Sequence, residues 1–167
     1  MSSLPMYASE SAKAASASES RYRITVPIAP ARNARVIALD TRAASVARRI
    51  SDGPWANARF YTCEAAPDRG PADEFLLYRL DGVPAALDDM LRDTDVVVIM
   101  ATDDSGGTRA AAIGSACSAR AITTAGVVLG DGFEADDAVA ALRPHARVLL
   151  LSADESDAFE LLRALRV

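Results

Sequence analysis

The sequence predicts a single three-layer Rossmann-like α/β domain with a mostly parallel sheet of about five strands. Three observations carry that expectation. From Arg35 onward, short runs rich in Val, Ile and Leu alternate with stretches of helical length, the pattern of repeated strand–helix–strand units. The apolar runs are continuous rather than alternating, as in strands covered on both faces. Half of the 167 residues are hydrophobic and a quarter are charged, which suits one well-packed core.

Residues 1–20, MSSLPMYASESAKAASASES, are rich in Ser and Ala and read as a flexible arm. The domain is expected over 21–167. Its first strand candidate is 22–28, with Pro27 keeping it out of the middle of a sheet. Arg35 to Asp40 is a compact apolar run ending in an acid, a buried parallel strand. Thr41 can cap a helix over 42–51, which Gly53 and Pro54 terminate. A second buried strand fits 58–63. Residues 64–74 contain Pro67, Gly70 and Pro71 and read as a loop. Phe75 to Leu80 is a short strand or edge segment. Pro84 suits the first turn of a helix running to about residue 92.

The second half is clearer. Asp95 to Ala101 is the strongest strand pattern in the chain. A turn over 102–108 opens an alanine-rich helix at 109–120. A strand follows at 121–129, then a helix at 135–142 stopped by Pro144, a strand at 147–152, and a closing helix at 155–166. Right-handed crossovers are the default for such units.

Composition removes several function classes. Net charge is -5, and aromatic residues are few, which argues against binding nucleic acid. The longest apolar run is Val96 to Ala101, far short of the roughly 20 residues that span a bilayer. The N-terminus has no basic segment followed by an apolar one, so no secretory signal is expected. Cys63 and Cys117 are the two cysteines, too few for a disulfide scaffold. The cytoplasm is the expected compartment, with no nucleic-acid or membrane partner. The arm is expected to mediate association with a second copy or with another protein.

Ligands of parallel α/β sheets bind beyond the carboxyl ends of the strands. The acids expected there are Asp40, Asp103, Asp104, Asp131 and Asp154. The turn Ser105-Gly106-Gly107-Thr108 opens a helix, where free N–H groups and the positive dipole end favour a phosphate. Asp40 is placed to meet a ribose. Because Asp103 and Asp104 would repel a bare phosphate, a nucleotide there implies Mg²⁺, with Asp103, Asp104 and Asp131 as the candidate metal ligands. The opposing reading is that these glycines serve turn geometry and these acids cap helices. Catalytic groups are scarce: His145 is the single histidine, and no nucleophile motif, P-loop or G-x-G-x-x-G sequence occurs. The one lysine is Lys13, which removes response-regulator and P-loop chemistry and leaves Arg109 as the nearest cation to the turn.

From residue 88 to about 155 the sequence resembles the nucleotide-binding domain of the FtsZ/tubulin family. The resemblance lies in order: the acidic segment Asp88–Asp95, the strand Val96–Met100, Gly106-Gly107-Thr108 opening an Ala-rich helix, Thr123–Val128, and Ala140–Leu151 followed by Asp154. It implies a GTP-binding fold. The family's glycine-rich phosphate loop is replaced here by Pro27-Ile-Ala-Pro-Ala-Arg-Asn33. A second resemblance, through Val97–Asp104, is to the dehydrogenase domain of siroheme synthesis.

The leading expectation is therefore a non-catalytic accessory or regulatory binding module on a degenerate nucleotide-binding fold, working through protein–protein contacts. The alternatives are a nucleotide-binding protein, possessing nucleotide hydrolase activity if it is an enzyme, that uses Ser105–Thr108 with GTP or another nucleotide and Mg²⁺, and a small dehydrogenase-like protein.

Overall fold

The computed structural model describes residues 30–65, 75–131 and 134–167. The expected arm, the strand candidate at 22–28 and most of the 64–74 loop lie outside them. The strands are β1 (Ala34–Ala38), β2 (Ala58–Ala65), β3 (Phe75–Arg79), β4 (Pro84–Ala85), β5 (Val96–Ala101), β6 (Thr123–Leu129) and β7 (Ala146–Ala153). The helices are α1 (Thr41–Ser51), α2 (Leu87–Leu91), α3 (Gly107–Ala119), α4 (Asp136–Leu142) and α5 (Glu155–Ala164). A short 3-10 turn, Asp104–Gly106, precedes α3.

The strands form one seven-stranded sheet in the order β4-β3-β2-β1-β5-β6-β7. Five of them, β2, β1, β5, β6 and β7, are mutually parallel. The sheet is wider than the expected five strands because β3 and β4 add an antiparallel hairpin beyond β2. Pro84 is the specific correction. It does not start a helix; it opens β4 opposite Tyr78, and the helix begins at Leu87. A two-residue edge strand tolerates a residue with no N–H to donate.

Side-chain alternation divides the core. Val36, Phe60, Val98 and Met100 face α1 and α5, against Ala43, Ala47, Ile50, Leu161 and Leu162. Ile37, Tyr61, Val97 and Ile99 face α2, α3 and α4, against Met90, Ile113, Cys117 and Leu142. Helices thus cover both faces, and the central strands β1 and β5 are buried along their whole length. That is why β5, and β1 after Arg35, read as unbroken apolar runs. Alanines at the buried positions of α1 and α3 let these helices approach the sheet closely.

The chain leaves β1 toward β2 through α1, and later leaves β5 in the opposite direction through α3. The strand order therefore reverses between β1 and β5, and the carboxyl ends of these two strands flank the crevice where such sheets bind ligands.

Candidate functional site

Asp40 follows β1 at this crevice and is the N-cap of α1. The sequence places the cap at Thr41, one residue late. The Asp40 carboxylate accepts the Ala43 N–H at 2.8 Å. It also accepts the Thr102 N–H at 2.7 Å and the Thr102 hydroxyl at 2.7 Å. One side chain thus caps α1 and ties the loop after β1 to the loop after β5. A donor at the first turn of α1, the place where a Rossmann-like fold presents N–H groups to a phosphate, is already taken by a carboxylate of the protein itself.

The Ser105–Thr108 turn is similarly engaged. The Asp103 carboxylate accepts the Ser105 N–H at 2.9 Å and the Ser105 hydroxyl. These bonds from Ser105 hold the Asp103 carboxyl below the usual carboxylate range. The Gly107 N–H donates to the Asp104 carbonyl. Asp104 itself accepts the Ala138 N–H at 3.0 Å, at the start of α4. The two glycines differ. Gly106 is buried, and a Cβ there would lie 2.6 Å from Leu39 Cβ, so only glycine allows the turn to close on β1. A Cβ on Gly107 would meet nothing nearer than 3.8 Å. Thr108 is exposed in the first turn of α3.

Asp131 follows β6 in an exposed turn, and its carbonyl accepts the Ser152 hydroxyl at 3.4 Å. Among the described residues, no group of three or more His, Cys, Asp or Glu is arranged to hold a metal ion. Asp103, Asp104 and Asp131 are thus not gathered into a metal-binding set there. Asp154, the remaining strand-end acid, caps α5 in a reciprocal pair with Asp157.

The crevice is still open. A cavity of about 610 Å³ lies over the carboxyl ends of β1 and β2, bordered by Arg42 and Arg48 of α1, Arg109 of α3, Asp103, Ser105 and Glu134. Arg109 is fixed at the rim, donating to the Cys63 carbonyl and the Ser105 carbonyl, each at 3.0 Å. Arg42 reaches Glu134 at 3.8 Å with both side chains largely in solvent, a contact of little energetic weight. Sequence reasoning isolated Arg109 but passed over Arg42 and Arg48. Their signal was the three-residue spacing of Arg42, Ser45 and Arg48, which places all three on one exposed helix face.

The other unread pair is Ser118 and His145, whose Oγ and Nδ1 are 3.0 Å apart. His145 lies over Gly114, where a Cβ would fall 2.6 Å from the ring. The pair sits at the amino end of β7, away from the crevice. No carboxylate among the described residues bonds its second ring nitrogen, so the orienting third member of a hydrolytic triad is not in place there. Cys63 and Cys117 are both buried, and neither forms a disulfide among the described residues. No known family model matches the chain, and no curated protein is significantly similar to it.

Proposed function

We propose that the chain is a non-catalytic accessory or regulatory binding module, a degenerate nucleotide-binding fold that acts through protein–protein contacts in the cytoplasm. The observation that carries this reading is the Asp40 carboxylate. It occupies donors on both sides of the crevice that a bound phosphate would otherwise recruit. The Gly106–Leu39 contact supports it, because one glycine of the pair is accounted for by packing. So does the β3–β4 hairpin, which stands where a dinucleotide-binding sheet would carry a third parallel strand. Apolar side chains exposed at both margins of the sheet, Val83 beside β4 and Leu151 on β7, suit contacts with another protein.

Calorimetric titration with GTP, ATP and NAD(H), with and without Mg²⁺, tests the proposal. No heat that Gly107→Val removes is expected at millimolar ligand. Micromolar binding of any of them, lost in Gly107→Val, would overturn it. The open cavity beside Ser105 and Arg109 favours a second reading, a nucleotide-binding protein of the kind its resemblance to the FtsZ/tubulin family implies. That reading requires the opposite result in the same titration.

A further inference from the structure

Arg35 is out of place by the rules that built the rest of the sheet. It is the second residue of β1, and only 6% of it is exposed. Its Nε donates to the Met90 carbonyl at 3.0 Å, and Nη1 donates to the Ala34 carbonyl at 3.1 Å. Among the described residues no carboxylate forms an ion pair with it, and no acceptor meets Nη2. Burial draws its guanidinium below the ordinary arginine range. A buried cation hydrogen-bonded only by neutral carbonyls is costly, because Asp93 and Asp95 act on it only through space and compensate its charge in part.

Its neighbour deepens the anomaly. Arg59 on β2 is the direct register partner of Arg35. Partners across parallel strands project to the same face, so two cations stand side by side, an arrangement that is unfavourable in isolation. Arg59 is exposed and has no ion pair among the described residues. Both arginines border a cavity of about 450 Å³ at the amino ends of β1 and β2. Three further charged groups border it. Asp89 is held by Arg92 at 3.0 Å. Asp93, at a left-handed φ of 53°, acts on Arg35 only through space. With Arg92 and Asp89 paired to each other, Arg35 and Arg59 are left with Asp93 at the cavity, and with Asp95 acting on Arg35 through space.

We propose that Arg35 and Arg59 form a binding site for an oxyanion of a small molecule, a phosphate or carboxylate group, at the amino ends of β1 and β2. The chemistry fits a planar guanidinium with donors remaining after two carbonyl contacts. A bound oxyanion would compensate both the burial of Arg35 and the repulsion between the two side chains. The site lies at the opposite end of the strands from the crevice, and it stands or falls independently of the proposed function.

The test is a nuclear magnetic resonance titration of the ¹⁵N-labelled full chain, first with inorganic phosphate and then with acetate, at constant ionic strength. The arginine Nε–H signals and the backbone amides of Asn57 and Arg59 are followed. Saturable shifts confined to this end of the sheet are expected with one of the two anions, and which anion it is identifies the ligand group. Arg59→Gln should weaken binding about tenfold, equivalent to ~1.4 kcal/mol, with an unfolding midpoint no lower than the parent's, because Arg59 is exposed and its repulsion with Arg35 is removed. Arg163→Gln, a charge change on α5, should leave it unaltered. Shifts that never saturate, shifts spread evenly over the surface arginines, or equal affinity in Arg59→Gln would each overturn the proposal.

Discussion

Replacing Asp40 by alanine should destabilise the protein by about 3 kcal/mol. The cap of α1 contributes about 1 kcal/mol. The two bonds to Thr102 contribute about 1 kcal/mol each, at the low end for charged acceptors because the site is only partly buried. Asp154→Ala is the internal standard. Asp154 also caps a helix, with a reciprocal partner in Asp157, but among the described residues its carboxylate bonds only within the first turn of that helix. It should cost about 1 kcal/mol. Urea unfolding of both variants, with unchanged m values, measures the difference. Asp40→Ala should be lower by about 2 kcal/mol, the share assigned here to Thr102. If the two variants unfold at the same urea concentration, the tie between the β1 and β5 loops contributes nothing and the argument fails. The same variant frees the N–H groups of Ala43 and Thr102, so it should also acquire weak phosphate binding at the crevice, read from shifts of these two amides.

Further outcomes follow from the turn and from the titrating groups. Gly106→Ala should lose about 1–3 kcal/mol through overpacking against Leu39, whereas Gly107→Ala, at a helical position with space around it, should be neutral or stabilising by up to about 1 kcal/mol in thermal unfolding. Because Ser105 lowers the folded-state pKa of Asp103, its stabilisation is present above the unfolded value of about 4 and is lost as pH falls through the lower folded value. Asp103→Asn should therefore flatten the acid limb of a stability–pH curve; an unchanged limb contradicts the assignment. Burial raises the Cys117 thiol, so its contribution is intact below the unfolded value of about 8.5 and declines as pH rises through the folded one. Native Cys117 should resist thiol reagents at pH 8 until the protein unfolds; rapid labelling of the folded chain would show that the thiol is accessible.

The fold was legible where burial is two-sided. Val96–Ala101 has no polar residue to suggest an alternative, and both of its faces are covered. Of the hairpin, β3 was legible as a short strand or edge segment, but β4 was not, because Pro84 is equally suited to a helix's first turn and to an edge strand, and only pairing with Tyr78 decides. The acids at the strand ends were correctly located along the chain, but their roles depend on distant partners. Asp40 meets Thr102, and Asp104 meets Ala138; neither pairing leaves a local trace. Gly106 and Gly107 are identical in sequence terms, and a leucine 67 positions earlier than the first of them sets them apart. Arg35 passed as an ordinary strand residue since register with Arg59 is a property of the assembled sheet.

The position of β1 has a consequence for how the chain is made. It is the earliest of the described strands to be synthesised, yet it ends up between β2 and β5, and its register partners on β5 lie 62 residues further on, as Ala38 and Met100 do. At about 5–20 residues per second, β1 leaves the ribosome about 3–12 s before β5 exists to cover its second edge. During that interval an almost wholly apolar segment can pair with β2 alone. Folding of this protein in the cell is thus governed by a waiting time written into its strand order, and the nascent chain is most vulnerable to aggregation before Val96–Ala101 emerges.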